Sequence, residues 1–225
     1  MAKKIRLGRD YYASETLSRF HVCDDFVRGV RGPYASGKST GMCWELWGRA
    51  HNQEPDKEGV RRTRWAVVRN TYRELADTTL KTWLDWFRED WVGTFSRGDM
   101  THHIKRSLGD GTRLDMEVMF RALDRPDDAK KVLSLELTGA WINEAREVPK
   151  SIVDALADRT GRFPSVPEGG CTWRGLFMDT NAPDDDHWWY RLAEDERPKG
   201  WSFFTQPPGV VEVDGKWQTN PTAEN

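Results

Sequence analysis

The residues with the clearest chemistry run from Gly32 to Ser39. Gly32-Pro33-Tyr34-Ala35-Ser36-Gly37-Lys38-Ser39 spaces two glycines and a Lys-Ser pair as a phosphate-binding loop does. Glycine lets the backbone turn tightly and bring amide N–H groups against phosphate oxygens. The helix pattern that follows, through Met42, Trp44, Leu46 and Trp47, adds a positive N-terminal end. In that arrangement Lys38 reaches the β- and γ-phosphates and the Ser39 hydroxyl joins a Mg²⁺ shell. Thr40 completes the nucleotide-binding set. The chain is expected to bind a nucleoside triphosphate and to hydrolyse it.

Hydrolysis needs an acid at the end of a neighbouring strand. Ala140-Trp141-Ile142-Asn143-Glu144 fits, because its apolar run brings Glu144 to the strand's carboxyl edge, where open α/β sheets bind ligands. Glu144 is the expected catalytic base, on the strand adjacent to the loop. Its other reading is an ordinary exposed residue opening a turn. The position before it, where such sites usually carry Asp, is Asn143. An amide binds Mg²⁺ weakly, through water, so Ser39 would carry most of the metal contact.

These groups need elements to hold them, and the hydrophobic patterning supplies an α/β alternation. Phe26–Val30, Arg64–Arg69, Leu114–Phe120, Thr138–Asn143 and Gly175–Asp179 read as strands. Thr71–Arg88 reads as a helix with Leu75, Thr79, Trp83, Trp86 and Phe87 on one stripe. Pro149–Ala157 and an Asp-capped Asp184–Glu194 read as further helices, and His51–Arg62 as a surface loop. Asp214-Gly215 between Val210–Val213 and Lys216–Thr219 signals a β-hairpin, and Asn220–Asn225 is linker-like. At 37% hydrophobic and 31% charged, the chain can fill a core and is not a disordered one. A net charge of −2 disfavours a protein that coats nucleic acid through bulk positive charge. No apolar run spans a bilayer, and the basic start, Met1 to Arg6, lacks the apolar stretch of a signal peptide. Cys23, Cys43 and Cys171 lack metal-site spacing and read as reduced thiols. Many of the twelve tryptophans, as in Trp44/Trp47, Trp83/Trp86 and Trp188/Trp189, fall at helix-like spacing and read as packing residues.

With these motifs placed, the chain resembles the N-terminal ATPase half of the large terminase subunit of tailed phages. Gly32–Ser39, Trp65–Tyr72, Leu133–Ala145, Asp158–Pro164 and Met178–Pro183 carry the resemblance, in order and spacing. It implies a RecA-like P-loop ATPase of the additional-strand type, with a mostly parallel sheet between helices. It implies one motor domain over 1–225, without the nuclease half. ATP and Mg²⁺ are the implied cofactors, Glu144 the catalytic acid, and Thr180-Asn181 the motif coupling hydrolysis to movement. The implied partners are double-stranded DNA, a portal protein, the terminase small subunit and copies of the chain in a ring, a pentamer, on the procapsid. The isolated domain would be monomeric, away from membranes, in the host cytoplasm.

Two departures stand out. Many relatives carry an arginine inside the loop, where this chain has Tyr34 and Ala35. Arg31, Arg159 and Arg162 are the alternative candidates, the last two facing a neighbouring subunit's ATP. The other departure is Asn143. For DNA, Arg61, Arg62 and Arg64 form one basic loop, and Lys105 and Arg106, beside His102 and His103, form another; both also read as solvated charge. Arg19, Phe20 and Phe26 are candidates for contacting the base. Asp184-Asp185-Asp186-His187 reads as a helix cap rather than a metal site. A helicase-like ATPase, or a nucleotide-binding module without turnover, remain alternatives.

Overall fold

The computed structural model describes residues 10–224; the basic N-terminal start and Asn225 lie outside the described residues. Its main sheet has eight strands in the order β3-β4-β5-β2-β6-β7-β1-β8. They are β1 Val27–Arg31, β2 Val60–Arg69, β3 Thr94–Ser96, β4 Thr101–Ser107, β5 Arg113–Ala122, β6 Gly139–Asn143, β7 Gly175–Thr180 and β8 Trp201–Thr205. Strands β5, β2, β6, β7, β1 and β8 run parallel, while β4 and β3 are antiparallel at one edge. A parallel sheet covered on both faces needs strands that are apolar throughout, which is why Trp65–Val68, Ala140–Ile142 and Leu176–Met178 read as unbroken runs. Two helices label the site side, α1 Glu15–Val22 and α2 Lys38–Asn52. The strands β9 Val210–Val213 and β10 Lys216–Thr219 form the expected separate hairpin, turned by Asp214 and Gly215, both at positive φ as a type I′ turn requires.

Parallel order puts the carboxyl ends of β1, β2, β6 and β7 along one edge of the sheet. Strand β7 lies between β1 and β6, so Glu144 is two strands from the phosphate loop rather than on the adjacent one. That extra strand proves central to the site.

One face of the sheet packs an aromatic core in which Trp65, Trp83 and Trp141 are fully buried. It also buries charge. Arg28 lies between the Phe20, Trp173 and Phe177 rings and pairs with Glu45 at 2.8 Å, while Arg49 and His21 reach the same carboxylate at 2.7 and 2.6 Å. Burial alone would raise the Glu45 pKa; the bonds from His21, Arg28 and Arg49 outweigh it and hold it at about 2, below its ordinary 4.5. A depressed folded-state pKa gives stability that is complete above 4.5 and fades as pH falls toward 2. Glu45→Gln should therefore cost about 3 kcal/mol at neutral pH, since it strands Arg28 without its charge partner. Urea unfolding would show the gap from wild type closing between pH 4.5 and 2; a gap independent of pH would refute the charge-based account.

Elsewhere, local reading failed in identifiable ways. Helix α1 and strands β3, β4 and β8 were not expected. Arg61, Arg62 and Arg64 are in β2 and Lys105 and Arg106 in β4, not in loops. Helix α2 runs to Asn52, and β2 begins at Val60 inside the expected surface loop. The helix over 72–86 contains a π-helical turn, Leu75–Leu80. The expected helix from Asp184 begins at Trp188, where His187 Nδ1 accepts from the Trp189 N–H as the cap. The linker-like tail is tied down: Glu224 accepts from Ser14 Oγ, Thr16 N and Thr16 Oγ1 at the start of α1. A carboxylate at a helix N-terminus meets unpaired N–H groups there.

Candidate functional site

The loop after β1 is a tight turn held from several sides. Ala35 and Gly37 both take left-handed backbone conformations, at φ 58° and 78°. Left-handed residues in such a turn aim successive N–H groups into a common concavity suited to an anion. Gly32 has a second constraint. A Cβ there would fall 2.5 Å from Gln206 Oε1. Gln206, in the segment after β8, is buried and clamps the loop: it accepts from Ser36 Oγ at 2.7 Å and donates to the Ser36 carbonyl at 3.0 Å. Only glycine fits at 32 beside that clamp.

Lys38 opens α2 and folds back over the loop. Its ammonium donates to the Gly32 and Pro33 carbonyls at 2.9 and 2.6 Å and to Asn181 Oδ1 at 3.3 Å. Burial lowers its pKa from 10.5, against the pull of Asp179 and Glu144. The carbonyls occupy the donors that phosphate oxygens would take, so the cationic head is stationed over the loop before any nucleotide arrives. Ser39, the next residue, donates from its hydroxyl to Asp179 Oδ2 at 3.0 Å.

Asp179 is wholly buried on β7 and collects further donors: Trp141 Nε1 at 2.7 Å, and Asn143 Nδ2 at 3.1 and 2.9 Å to its two oxygens. Burial raises its pKa, opposed by these bonds. Asn143 is fixed from both ends. Its Oδ1 accepts from Arg69 Nη1 at 3.2 Å and from Thr79 Oγ1 at 2.7 Å, the latter presented by the π-helical turn. Because a guanidinium only donates and a carboxylate only accepts, this orientation of the amide is chemically required. Asn143 therefore turns N–H toward Ser39, at 3.2 Å, and not an oxygen that could ligate a metal.

Glu144 ends β6 in a left-handed conformation, φ 48° and ψ 56°. Such a residue costs about 1–2 kcal/mol outside glycine and persists where the surroundings enforce it. Here the enforcement is Asn181, whose backbone N–H and side-chain amide both donate to the Glu144 carboxylate, at 3.0 to 3.2 Å. Asn181 thus links Lys38 to Glu144. Thr180 faces elsewhere: its Oγ1 lies 3.4 Å from the Arg146 N–H, and its carbonyl accepts from Gly32 N.

A cleft of about 510 Å³ opens beside Gly32, Pro33 and Tyr34, with Arg31, Arg146 and Asn181 on its walls. Tyr34 is exposed. Thr40 follows in the first turn of α2. Arg31 is drawn aside by Glu194 at 2.7 Å and Thr205 at 2.9 Å. Arg146 donates to the Ala182 carbonyl; only its place two residues past Glu144 could have signalled it. Arg159 and Arg162 lie where β6 begins, bonded to the Leu135 and Asp158 carbonyls, at the sheet edge opposite the loop. They cannot reach this chain's own loop.

Phe20, proposed for base contact, is fully buried between the Phe177 and Phe204 rings and is a core residue. Phe26 is half-buried against the opposite core face, and Arg19 lies 6.0 Å from the Phe204 ring. The basic residues are balanced by acids: Arg61 by Asp110, Arg62 by Asp56, Arg64 by Glu117 and Lys105 by Asp115. His102 and His103 point to opposite faces of β4, the first buried and bonded to Trp83 Nε1. No cluster of three or more metal-ligating side chains occurs among the described residues, and none of their helices is long and apolar enough to cross a membrane.

Set beside known proteins, the chain matches no sequence family and no curated protein. Its likeness is structural. The large terminase of a thermophilic bacteriophage superposes with a TM-score of 0.63 at 14% identity, over 85% of this chain and 45% of that one. A second structure of that terminase, solved with ADP, also gives 0.63. The ATPase domain of the Thermus phage P74-26 large terminase gives 0.53 at 13% identity, over 88% of this chain and 82% of that domain. The HK97 bacteriophage large terminase gives 0.60 at 12% identity, over 92% and 42%. The chain thus has the fold of the phage large terminase ATPase domains and spans less than half the length of the full-length terminases it matches.

Proposed function

We propose that this chain is an ATP-hydrolysing motor domain that drives double-stranded viral DNA into a procapsid. The observation that carries the reading is Asn181, which joins the Lys38 ammonium to the Glu144 carboxylate at the mouth of the phosphate loop. Loop amides and Lys38 hold the triphosphate, with Lys38 exchanging the Gly32 and Pro33 carbonyls for β- and γ-phosphate oxygens. Mg²⁺, when bound, neutralises charge developing on those phosphates. The Ser39 hydroxyl stands where it would hold that ion, beside an acid. Glu144 takes the proton of the attacking water, and its left-handed backbone fixes where the carboxylate aims. Loss of the γ-phosphate frees Lys38, and Asn181 passes that change to Glu144 and to the end of β7. Arg159 and Arg162, remote from this chain's own loop, suit a site completed by a neighbouring subunit; Arg31 and Arg146 suit one completed within the chain.

The wider reading is a ring of such subunits, a pentamer, working in the host cytoplasm on a portal protein with the terminase small subunit. Nuclease chemistry falls to another domain or chain. The near-balance of surface charge means that DNA grip comes from several subunits together. ATP turnover measured against protein concentration, with and without duplex DNA, tests this. Turnover should rise steeply with concentration and with DNA, as a site completed in trans requires. Turnover no higher than that of Lys38→Ala under every condition would leave a nucleotide-binding module without catalysis.

A further inference from the structure

The weak point of the site is the residue before the catalytic glutamate. A P-loop enzyme normally places a carboxylate there, against the loop hydroxyl and the metal. This chain has Asn143, and its amide is turned the wrong way to help, since Oδ1 is taken by Arg69 and Thr79. Read along β6 alone, the site lacks its acid.

Read across the sheet, it does not. Strands β6 and β7 are parallel neighbours, and their register sets Asn143 directly beside Asp179. In-register residues on adjacent parallel strands are about 4.8 Å apart and point the same way. Asp179 therefore projects alongside Asn143, toward the same Ser39 hydroxyl. Its Oδ2 accepts from Ser39 Oγ at 3.0 Å, the contact expected of the metal-ordering acid. Asn143 donates to both Asp179 oxygens and Trp141 to one, so three hydrogen bonds from two side chains orient the carboxylate. Asp179 is fully buried, and the side chains that donate to it among the described residues, those of Ser39, Asn143 and Trp141, are all neutral. The residue types fit a Mg²⁺ site: a carboxylate in contact with a hydroxyl offers hard oxygen ligands, and nucleotide oxygens and water would complete the shell.

We propose that Asp179 on β7 is the carboxylate that orders Mg²⁺ in this chain, and that Asn143 and Trp141 are its positioning residues. The proposal rests on the reading of Gly32–Ser39 as a nucleotide site. It moves the acid one strand across the sheet while leaving it against the same hydroxyl.

Calorimetry of a non-hydrolysable ATP analogue, with the full chain in EDTA and then in Mg²⁺, tests it. Wild type should bind more tightly with Mg²⁺. Asp179→Asn should lose about 10–100-fold of that Mg²⁺-dependent gain, the usual cost of losing a group that orients a metal's ligands. Its affinity in EDTA should stay near wild type. The paired exchange Asn143→Asp with Asp179→Asn returns an acid beside the same hydroxyl, and should restore the gain. A thermal melt confirms that each variant is folded. Asp179→Asn with an undiminished gain would overturn the proposal. So would a folded double variant with no gain, and that variant suffices by itself if Asp179→Asn does not fold. A wild-type chain that binds no nucleotide in either buffer would defeat the underlying reading of the loop instead.

Discussion

Glu144→Gln is expected to lower ATP turnover by about 100- to 10,000-fold, the range removed with a general base, while nucleotide affinity stays within a few-fold. The substitution is close to isosteric. The Gln side chain keeps an oxygen that can accept from the Asn181 backbone N–H, now at 3.2 Å from the carboxylate. What it loses is the second anionic oxygen and the capacity to take a proton. The Asn181 side-chain amide, which donates to both carboxylate oxygens, must then face one donor group with another. That mismatch is local to the catalytic side of the loop and leaves the Lys38 and Ser39 contacts in place. Steady-state hydrolysis together with calorimetry of ADP separates the two effects. A variant that hydrolyses ATP as fast as wild type would remove Glu144 as the base, and one that lost ADP binding together with turnover would show a collapsed loop rather than a missing base.

What the sequence disclosed follows from the range of each interaction. Gly32–Ser39 was legible because its geometry is local: eight successive residues carry the turn, the cation and the hydroxyl. Glu144 was legible because a short apolar run ending in an acid is a buried strand meeting solvent. Asp179 was not legible. It belongs to the site only through the register of β6 against β7, and its own segment, Gly175 to Thr180, reads as an ordinary buried strand. Gln206 is farther still, joined to Ser36 across most of the chain, with no motif around it. Thr79 was placed on an apolar stripe, correctly buried, but the π-helical turn that aims its hydroxyl at Asn143 has no sequence signature. The antiparallel edge failed for a different reason. Strand β4, Thr101–Ser107, buries Thr101 and His102 beside Ile104, so two of its three buried side chains are polar. Inward-facing polar side chains hide a strand from any reading that equates the core with apolar residues.

Lys38→Ala is expected to weaken nucleotide binding by about 100-fold, and the starting position of the lysine explains why the loss is not greater. A charge-assisted hydrogen bond contributes about 1.5–3 kcal/mol. An ammonium that reached both the β- and γ-phosphates from water would exceed a 100-fold effect. Here the ammonium already has partners, the carbonyls of Gly32 and Pro33 and the Asn181 amide oxygen. It must surrender these to engage phosphate, and that exchange offsets part of the gain. The same contacts give the variant a second signature. Without the ammonium, the Gly32 and Pro33 carbonyls and Asn181 Oδ1 lose a shared donor, and the grip of Asn181 on Glu144 loosens with them. Glu144→Gln should therefore affect chemistry alone, whereas Lys38→Ala should affect affinity and, at saturating nucleotide, turnover as well. Combined, the two should fall short of the product of their separate effects on turnover, because both act on one Lys38–Asn181–Glu144 unit. Calorimetry of an ATP analogue measures the first effect, and unchanged affinity would refute the phosphate-loop assignment. Turnover of the double variant at saturating nucleotide measures the second; fully multiplicative losses would show that Asn181 does not couple the two residues.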